Sequence, residues 1–172
     1  MTQPKMQSSS AAQLAPPRVE NGKALLIAGF REHYTEQTMN NIAAQWQRFA
    51  PQIGNIAGQI DRKTYGVCFE LSESGQGIDY LSGVEVSSPS GLPAEFATVS
   101  LPAQKYAIFT HREHVSKLRD ALDAISQRWR PEWGEALRHR GSETPAFFER
   151  YTEEFDPRTG MGGIEVWVPI RS

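Results

Sequence analysis

The sequence predicts an α+β domain made of two strand–helix–strand–strand units related by a pseudo-two-fold axis. Three observations lead there. Short apolar runs of strand length alternate with two stretches whose apolar residues recur at helical spacing. Several features then repeat in the same order about eighty positions apart, a period too long for a solenoid repeat and suited to a duplication within one domain. They are Arg31-Glu32-His33 and Arg112-Glu113-His114, Trp46 and Trp129, Glu70 and Glu149, and Glu85 and Glu165. Finally, the strand-like runs carry apolar residues at every second position, the pattern of a sheet with helices on one face. The expected architecture is an antiparallel sheet, helices on one face, and a central cleft between the halves.

Composition bounds the rest. The chain has 172 residues, 39% hydrophobic, and a formal net charge of −2. This is one domain with enough apolar material for a single core. The balanced charge argues against a nucleic-acid binder, which carries a basic excess. No apolar run approaches the roughly 18–20 residues of a membrane span. Residues 1–20 read as a disordered leader, rich in Gln, Ser, Ala and Pro and without the apolar core of a signal peptide. The expected compartment is the cytoplasm. Residues 21–172 form the domain, with halves at about 21–90 and 100–172. The single cysteine, Cys68, excludes an intrachain disulfide framework and a cysteine-based zinc site. His33, His111, His114 and His139 lack the spacing of a helical metal motif, so no metal or cofactor is expected.

Taken in order, residues 23–30 are strand-like and the polar group 31–35 ends the run. Met39, Ile42, Ala43, Trp46, Phe49 and Ile53 lie on one helix face. Thr35 or Thr38 can cap that helix, Pro51 and Gly54 end it, and Gln45, Gln47 and Arg48 face water. Residues 65–71 and 78–86 form a hairpin around the turn-prone 72–77. Residues 97–101 are extended, and 104–111 open the second half as a strand. Val115, Leu118, Ala121, Leu122, Ile125 and Trp129 mark the second helix, which Pro131 ends. Strands at 147–151 and 164–170 close the chain.

Side-chain parity assigns faces. Ile164, Val166, Val168 and Ile170 form one uninterrupted apolar set, and Tyr65, Val67, Phe69 and Leu71 another. Both sets are expected under the helices. Glu70, Cys68, Glu85, Phe147, Glu149, Tyr151, Glu165 and Trp167 then share the opposite face, where acids mix with aromatics as on a ligand surface.

Four motifs occur in order: residues 42–54, Tyr65-Gly66-Val67-Cys68, Pro145-Ala146-Phe147-Phe148-Glu149-Arg150-Tyr151, and Ile164-Glu165-Val166-Trp167-Val168-Pro169-Ile170. Together they resemble the GyrI-like small-molecule-binding domain, which is also the effector-binding domain of certain AraC-type and MerR-type transcription activators. The resemblance spans residues 20–171. It implies a pseudo-two-fold fold around a cleft, and drug-sensing members bind lipophilic cations there with carboxylates and aromatics. By the resemblance, Glu149 takes the acidic position of the first C-terminal strand. Glu165 and Trp167 match the acid-x-aromatic pair of the last strand. The activators carry a separate DNA-binding domain. Here a leader of about twenty residues is too short for a helix-turn-helix, so a stand-alone form is expected.

The candidate ligand-binding residues are therefore Glu149, Glu165, Trp167, Tyr151, Phe147, Glu70 and Cys68, with no catalytic residue assigned. Glu85 reads as a solvated edge residue, and Trp46 and Trp129 as core. The expected function is a cytoplasmic binding module for amphipathic, cationic or aromatic small molecules, which senses or sequesters drugs. Two alternatives stand beside it. One is a hydrolase of cyclopropane-containing compounds, with Glu149 and Glu165 as general acid and base. The other is a protein-interaction role, either as inhibitor of a gyrase-like enzyme or in contact with a separate regulator.

Overall fold

Eight strands form one antiparallel sheet in the computed structural model, which describes residues 16–70, 77–128 and 145–170. They are β1 (Arg18–Gly22), β2 (Leu25–Tyr34), β3 (Gln59–Glu70), β4 (Ile78–Val86), β5 (Ala97–Leu101), β6 (Gln104–His111), β7 (Phe147–Tyr151) and β8 (Ile164–Pro169). Among the described residues two α-helices accompany them, α1 (Ile42–Phe49) and α2 (Leu118–Arg128).

Both helices form where the apolar spacing places them. Single 3-10 turns flank α1 at Met39–Asn41 and Ala50–Gln52, and another, Val115–Lys117, precedes α2. Pro51 lies in the closing turn of α1, where its missing N–H and fixed φ suit a new turn rather than a longer helix. The expected threonine cap is not used. Thr38 makes no capping bond and instead accepts from the Thr35 amide at 2.9 Å. At the second helix, His114 Nδ1 accepts the Ser116 N–H at 3.0 Å and so caps the entry turn.

The duplication is visible in the strand order, β1-β6-β8-β7-β3-β4-β2-β5. The first unit, β2-α1-β3-β4, contributes the ordered trio β3-β4-β2. The second, β6-α2-β7-β8, contributes β7-β8-β6. The trios are mirror-ordered about the β3–β7 seam, as a two-fold axis there requires. β1 and β5 flank the outer strands.

The sheet cannot be flat. β5 and β6 are joined by Pro102 and Ala103 alone, yet six strand spacings separate them in the strand order. A flat sheet would set them about 29 Å apart at roughly 4.8 Å per spacing. Three Cα–Cα steps reach only about 11 Å. The sheet therefore curls until its ends approach, and it acquires an inner and an outer face. Val99 and Leu101 of β5 join Tyr106 and Ile108 of β6 in one buried inner cluster with Ile27, Tyr65, Val67, Phe69, Leu81, Phe148 and Trp167. The outer face carries the helices. There Phe49 of α1 packs with Ala28, Val84 and Val86, while Leu118 and Ile125 of α2 pack with Ile164, Val166 and Val168.

Several expectations change. Ile164, Val166 and Val168 do lie under a helix, but Tyr65, Val67 and Phe69 line the inner face instead. Cys68, Phe147, Glu149 and Tyr151 have the opposite parity and lie on the helix-covered side, apart from Glu85, Glu165 and Trp167. Gln45 does not face water; it is 0% exposed. Arg31, Glu32 and His33 continue β2 rather than ending it, and Arg31 and His33 pair with Asp79 across the β2–β4 ladder. A strand, β1, occupies 18–22, where the sequence reading put the end of a leader. Leu71, Trp129 and His139 lie outside the described residues.

Candidate functional site

The seam strands build the site from opposite sides. Gly66 of β3 faces Glu149 of β7 across the ladder, with Cys68 opposite Phe147 and Thr64 opposite Tyr151. Glu149 is 6% exposed, in the middle of the outer face. Two phenols reach it. Tyr80 Oη of β4 donates to Glu149 Oε1 at 2.8 Å, and Tyr151 Oη donates to the same oxygen at 3.0 Å. Trp46 of α1 donates its indole N–H to Tyr80 Oη at 3.0 Å. An indole nitrogen only donates, so the Tyr80 oxygen must accept there and its proton must point at the carboxylate.

Gly66 makes this geometry possible. A Cβ at that position would stand 2.6 Å from Tyr80 Cζ and 2.7 Å from Glu149 Oε1. Only a residue without a side chain lets phenol and carboxylate meet over the β3 backbone.

Burial sets the electrostatics. Desolvation pushes the Glu149 carboxyl up to about 7, against the pull of the two phenol hydrogen bonds. Burial likewise raises Tyr80 and Tyr151 well above the usual phenol range, and the Glu149 charge adds to it. Among the described residues no Lys, Arg or His stands within ion-pair distance of Glu149, and none donates to its second oxygen.

Aromatic edges surround the group. The Trp46 ring lies 5.6 Å from Tyr151, 6.5 Å from Tyr80 and 6.1 Å from Phe49, all edge-on. Trp46 is half-buried and packs against the three clusters of the helix-covered face. It therefore bridges the α1 and α2 halves above the seam. Cys68 and half-buried Phe147 continue the wall, with Tyr34 and Met39 beside them. The site is a buried carboxylate in a cage of rings at the junction of the two units.

Glu165 behaves differently. It lies on the inner face, where Arg150 Nη2 donates to it at 2.8 Å, Arg18 Nη2 at 3.0 Å and the Trp167 indole at 3.0 Å. Burial alone would raise this carboxyl, but the Trp167 hydrogen bond and the two arginines outweigh it and hold it below the usual range. Trp167 stacks on Phe148 with centroids 5.4 Å apart, and the Arg150 guanidinium sits 4.5 Å over its ring. Glu85 is also inner and buried, reached by Lys23 at 2.7 Å. These two duplicated acids have their cations already.

Of the seven sequence candidates, Glu149, Tyr151, Phe147 and Cys68 come together. Glu165 and Trp167 are on the other face of the sheet, so Glu149 and Glu165 do not assemble as an acid–base pair. Glu70 pairs through its backbone with Ile78 at the end of β3, and its side chain lies outside the described part. Sequence reasoning missed Tyr80 and the role of Trp46. The available signal was a phenol in register with Ser82, Val84 and Val86, since a buried tyrosine needs a partner for its hydroxyl. An open groove of about 850 Å³ lies elsewhere, bordered by Lys63, Arg112, Glu153 and Glu154. It mixes charges of both signs, reaches Glu165 at one side, and its one lining ring is the His111 imidazole.

The family model for Cass2, described as integron-associated effector binding protein, matches residues 18–170. The chain belongs to this family. The Cass2 match covers every described strand and α-helix, in agreement with the resemblance to effector-binding domains seen in the four motifs. Among curated proteins, the transcriptional regulator BrlR of Pseudomonas aeruginosa is 29% identical over 157 residues, 89% of this chain. The chain spans about half of that regulator, 54% of its length. Solved structures share the fold. SAV2435 bound to tetraphenylphosphonium superposes with a TM-score of 0.63 at 21% identity, covering 92% of this chain and 95% of that one. The EcmrR C-terminal domain gives 0.64 at 11% identity over 93% and 99%. An integron cassette protein from the mobile metagenome of Vibrio cholerae gives 0.54 at 18% identity over 92% and 97%. In this Cass2 member half-buried Trp46 and Phe147 lie on the same face as the buried carboxylate.

Proposed function

We propose that this effector-binding domain takes lipophilic cations at Glu149, with Tyr80, Tyr151, Trp46 and Phe147 as its aromatic wall and Cys68 beside them. The observation that carries this is a buried carboxylate without a cationic partner among the described residues. A carboxylate shielded from water attracts a cation far more strongly than one in solvent. A surrounding ring whose face the cation engages adds about 0.5–2 kcal/mol. Glu165 and Trp167 act instead as scaffold on the inner face. A role in the cytoplasm, delivering ligand state to a regulator or sequestering the ligand, accords with the likeness to a transcriptional regulator.

Tetraphenylphosphonium is a suitable probe, being lipophilic, singly charged and without a titratable group. Its titration at pH 8 should quench tryptophan fluorescence, because Trp46 borders the cage. Glu149→Gln keeps shape and hydrogen-bond acceptance but removes the charge, and should weaken binding by at least about thirtyfold, the loss expected when a buried charge partner goes. Glu165→Gln should leave the affinity within about twofold, since additivity holds for separated sites. Equal affinity of wild type and Glu149→Gln for the probe would sink the proposal.

A further inference from the structure

Glu149 poses a question that cation binding alone does not answer: what balances its charge when the cage is empty? A bare carboxylate in an apolar enclosure is costly without a counter-charge. Among the described residues, the groups packed around it supply none. β4 offers Tyr80 and Ser82, β3 offers Gly66 and Cys68, β7 offers Tyr151, and β8 offers Val166 directly opposite. α1 offers Trp46 and Gln45, and α2 sends Leu118 and Ile125 to the cluster that holds Tyr151. The titratable members of that set are two phenols and a thiol, and each is neutral in its protonated form. Arg150, next in sequence, points to the inner face and is engaged with Glu165. Both phenols donate to Oε1, while Oε2 takes no donor among the described residues.

We propose that ligand binding at this site is an exchange, in which one monovalent cation enters beside Glu149 and the carboxyl's proton leaves to solvent. The inference rests on the cation-binding reading above and deepens it. The empty cage balances itself with a proton on the oxygen that the phenols leave free. The incoming cation takes over that role, and the site stays neutral in both states. The balance is Glu149–COOH plus cation giving Glu149–COO⁻·cation plus one proton. A single carboxylate fits a single positive charge, so the ligand class is the monocation. The burial that pushes the carboxyl to about 7 sets the range in which the exchange shows.

The test is calorimetric titration of the full chain with tetraphenylphosphonium at several pH values, each in two buffers of different ionisation enthalpy. The probe binds no protons, so any proton released comes from the protein. Release should be close to one proton per cation at about pH 6 and close to none at about pH 8.5, with affinity tightening about tenfold per pH unit below the midpoint and levelling above it. Infrared difference spectra at pH 6 should lose a protonated-carboxyl carbonyl band when the probe is added, and Glu149→Gln should lack that band. Two results overturn the exchange. One is pH-independent affinity with no proton release while Glu149→Gln still abolishes binding; the carboxyl is then ionised when empty, and the cation site itself survives. The other is proton release without loss of the carbonyl band, which assigns the proton to a histidine. Failure of the probe to bind wild type at pH 8.5 removes the underlying reading as well.

Discussion

At the scale of single residues, the site depends on an atom that is missing. Gly66 has no unusual φ; its requirement is space, because the Tyr80 ring and the Glu149 carboxylate occupy the volume a side chain would fill. Neither neighbour is a flexible chain end free to swing away, since they are tied to each other, Tyr80 also to Trp46 and Glu149 also to Tyr151. Gly66→Ala should therefore break the Tyr80–Glu149 hydrogen bond. Overpacking of this kind costs about 1–3 kcal/mol of stability. The probe's affinity should fall with it, while Gly83→Ala, which is hemmed in by the Ala28 carbonyl and not by the site, should cost stability without a separate effect on binding. Chemical denaturation and fluorescence titration of the two variants make the comparison. Unchanged binding by a folded Gly66→Ala protein would show that the phenol contact is dispensable.

At the scale of elements, α1 is held by a polar anchor that its sequence disguises. Gln45 lies within a helix whose apolar stripe is Ile42, Trp46 and Phe49, and a lone glutamine between them reads as solvated. Yet its Oε1 accepts from Tyr34 Oη at 2.5 Å, and its Nε2 donates to the Phe30 carbonyl at 2.9 Å and to Ser82 Oγ at 3.0 Å. The anchor fixes α1 on β2 and β4, and with it the Trp46 indole above the site. Gln45→Leu should cost roughly 2–4 kcal/mol, because it leaves buried donors and acceptors unpaired where a solvated residue would cost almost nothing. It should also lower the probe's quenching of Trp46 fluorescence. A change below about 0.5 kcal/mol would mean that the anchor carries no stability. Element positions were otherwise legible: β4 through β8 and both helices fall within a few residues of their sequence patterns. The faces of β3 and β7 were not. Parity separates wet from dry only when one face is wet, and this curled sheet is buried on both sides. Tyr65, Val67 and Phe69 advertise the inner core, not the helix side. The same ambiguity hid the separation of Glu149 from Glu165, two acids that look equivalent on paper. β1 escaped because its five residues include one apolar side chain, Val19, which is 56% exposed.

At the scale of the whole molecule, the two seam-flanking acids pull stability in opposite pH directions. Glu149 has a folded value of about 7 against a reference of 4.5, so the unfolded chain gives up this proton first. Its contribution is fully present below pH 4.5 and is lost as pH rises through about 7. At about 1.4 kcal/mol per unit, the loss approaches 3 kcal/mol above pH 8. Glu165 is shifted down in the fold. Its contribution is present above the unfolded carboxylate value and is lost as pH falls through the folded one. The two windows meet near pH 5, where both contributions are retained. The difference between wild type and Glu149→Gln isolates the first window from every other titrating group. The variant should equal or trail the wild type at pH 4.5 and gain on it steadily to pH 8, by about 3 kcal/mol in urea denaturation. Glu165→Gln should instead lose stability above pH 5 and converge toward the wild type in acid. Added tetraphenylphosphonium should restore wild-type stability at pH 8, because a ligand bound only by the folded state stabilises it by mass action. It should leave Glu149→Gln nearly unmoved. A Glu149→Gln protein that parallels the wild type from pH 4.5 to 8 would mean that the buried carboxyl titrates alike folded and unfolded. The acid proposed to hold the ligand is thus the one without a counter-charge among the described residues, and the destabilisation it causes above neutral pH is what a cationic ligand would relieve.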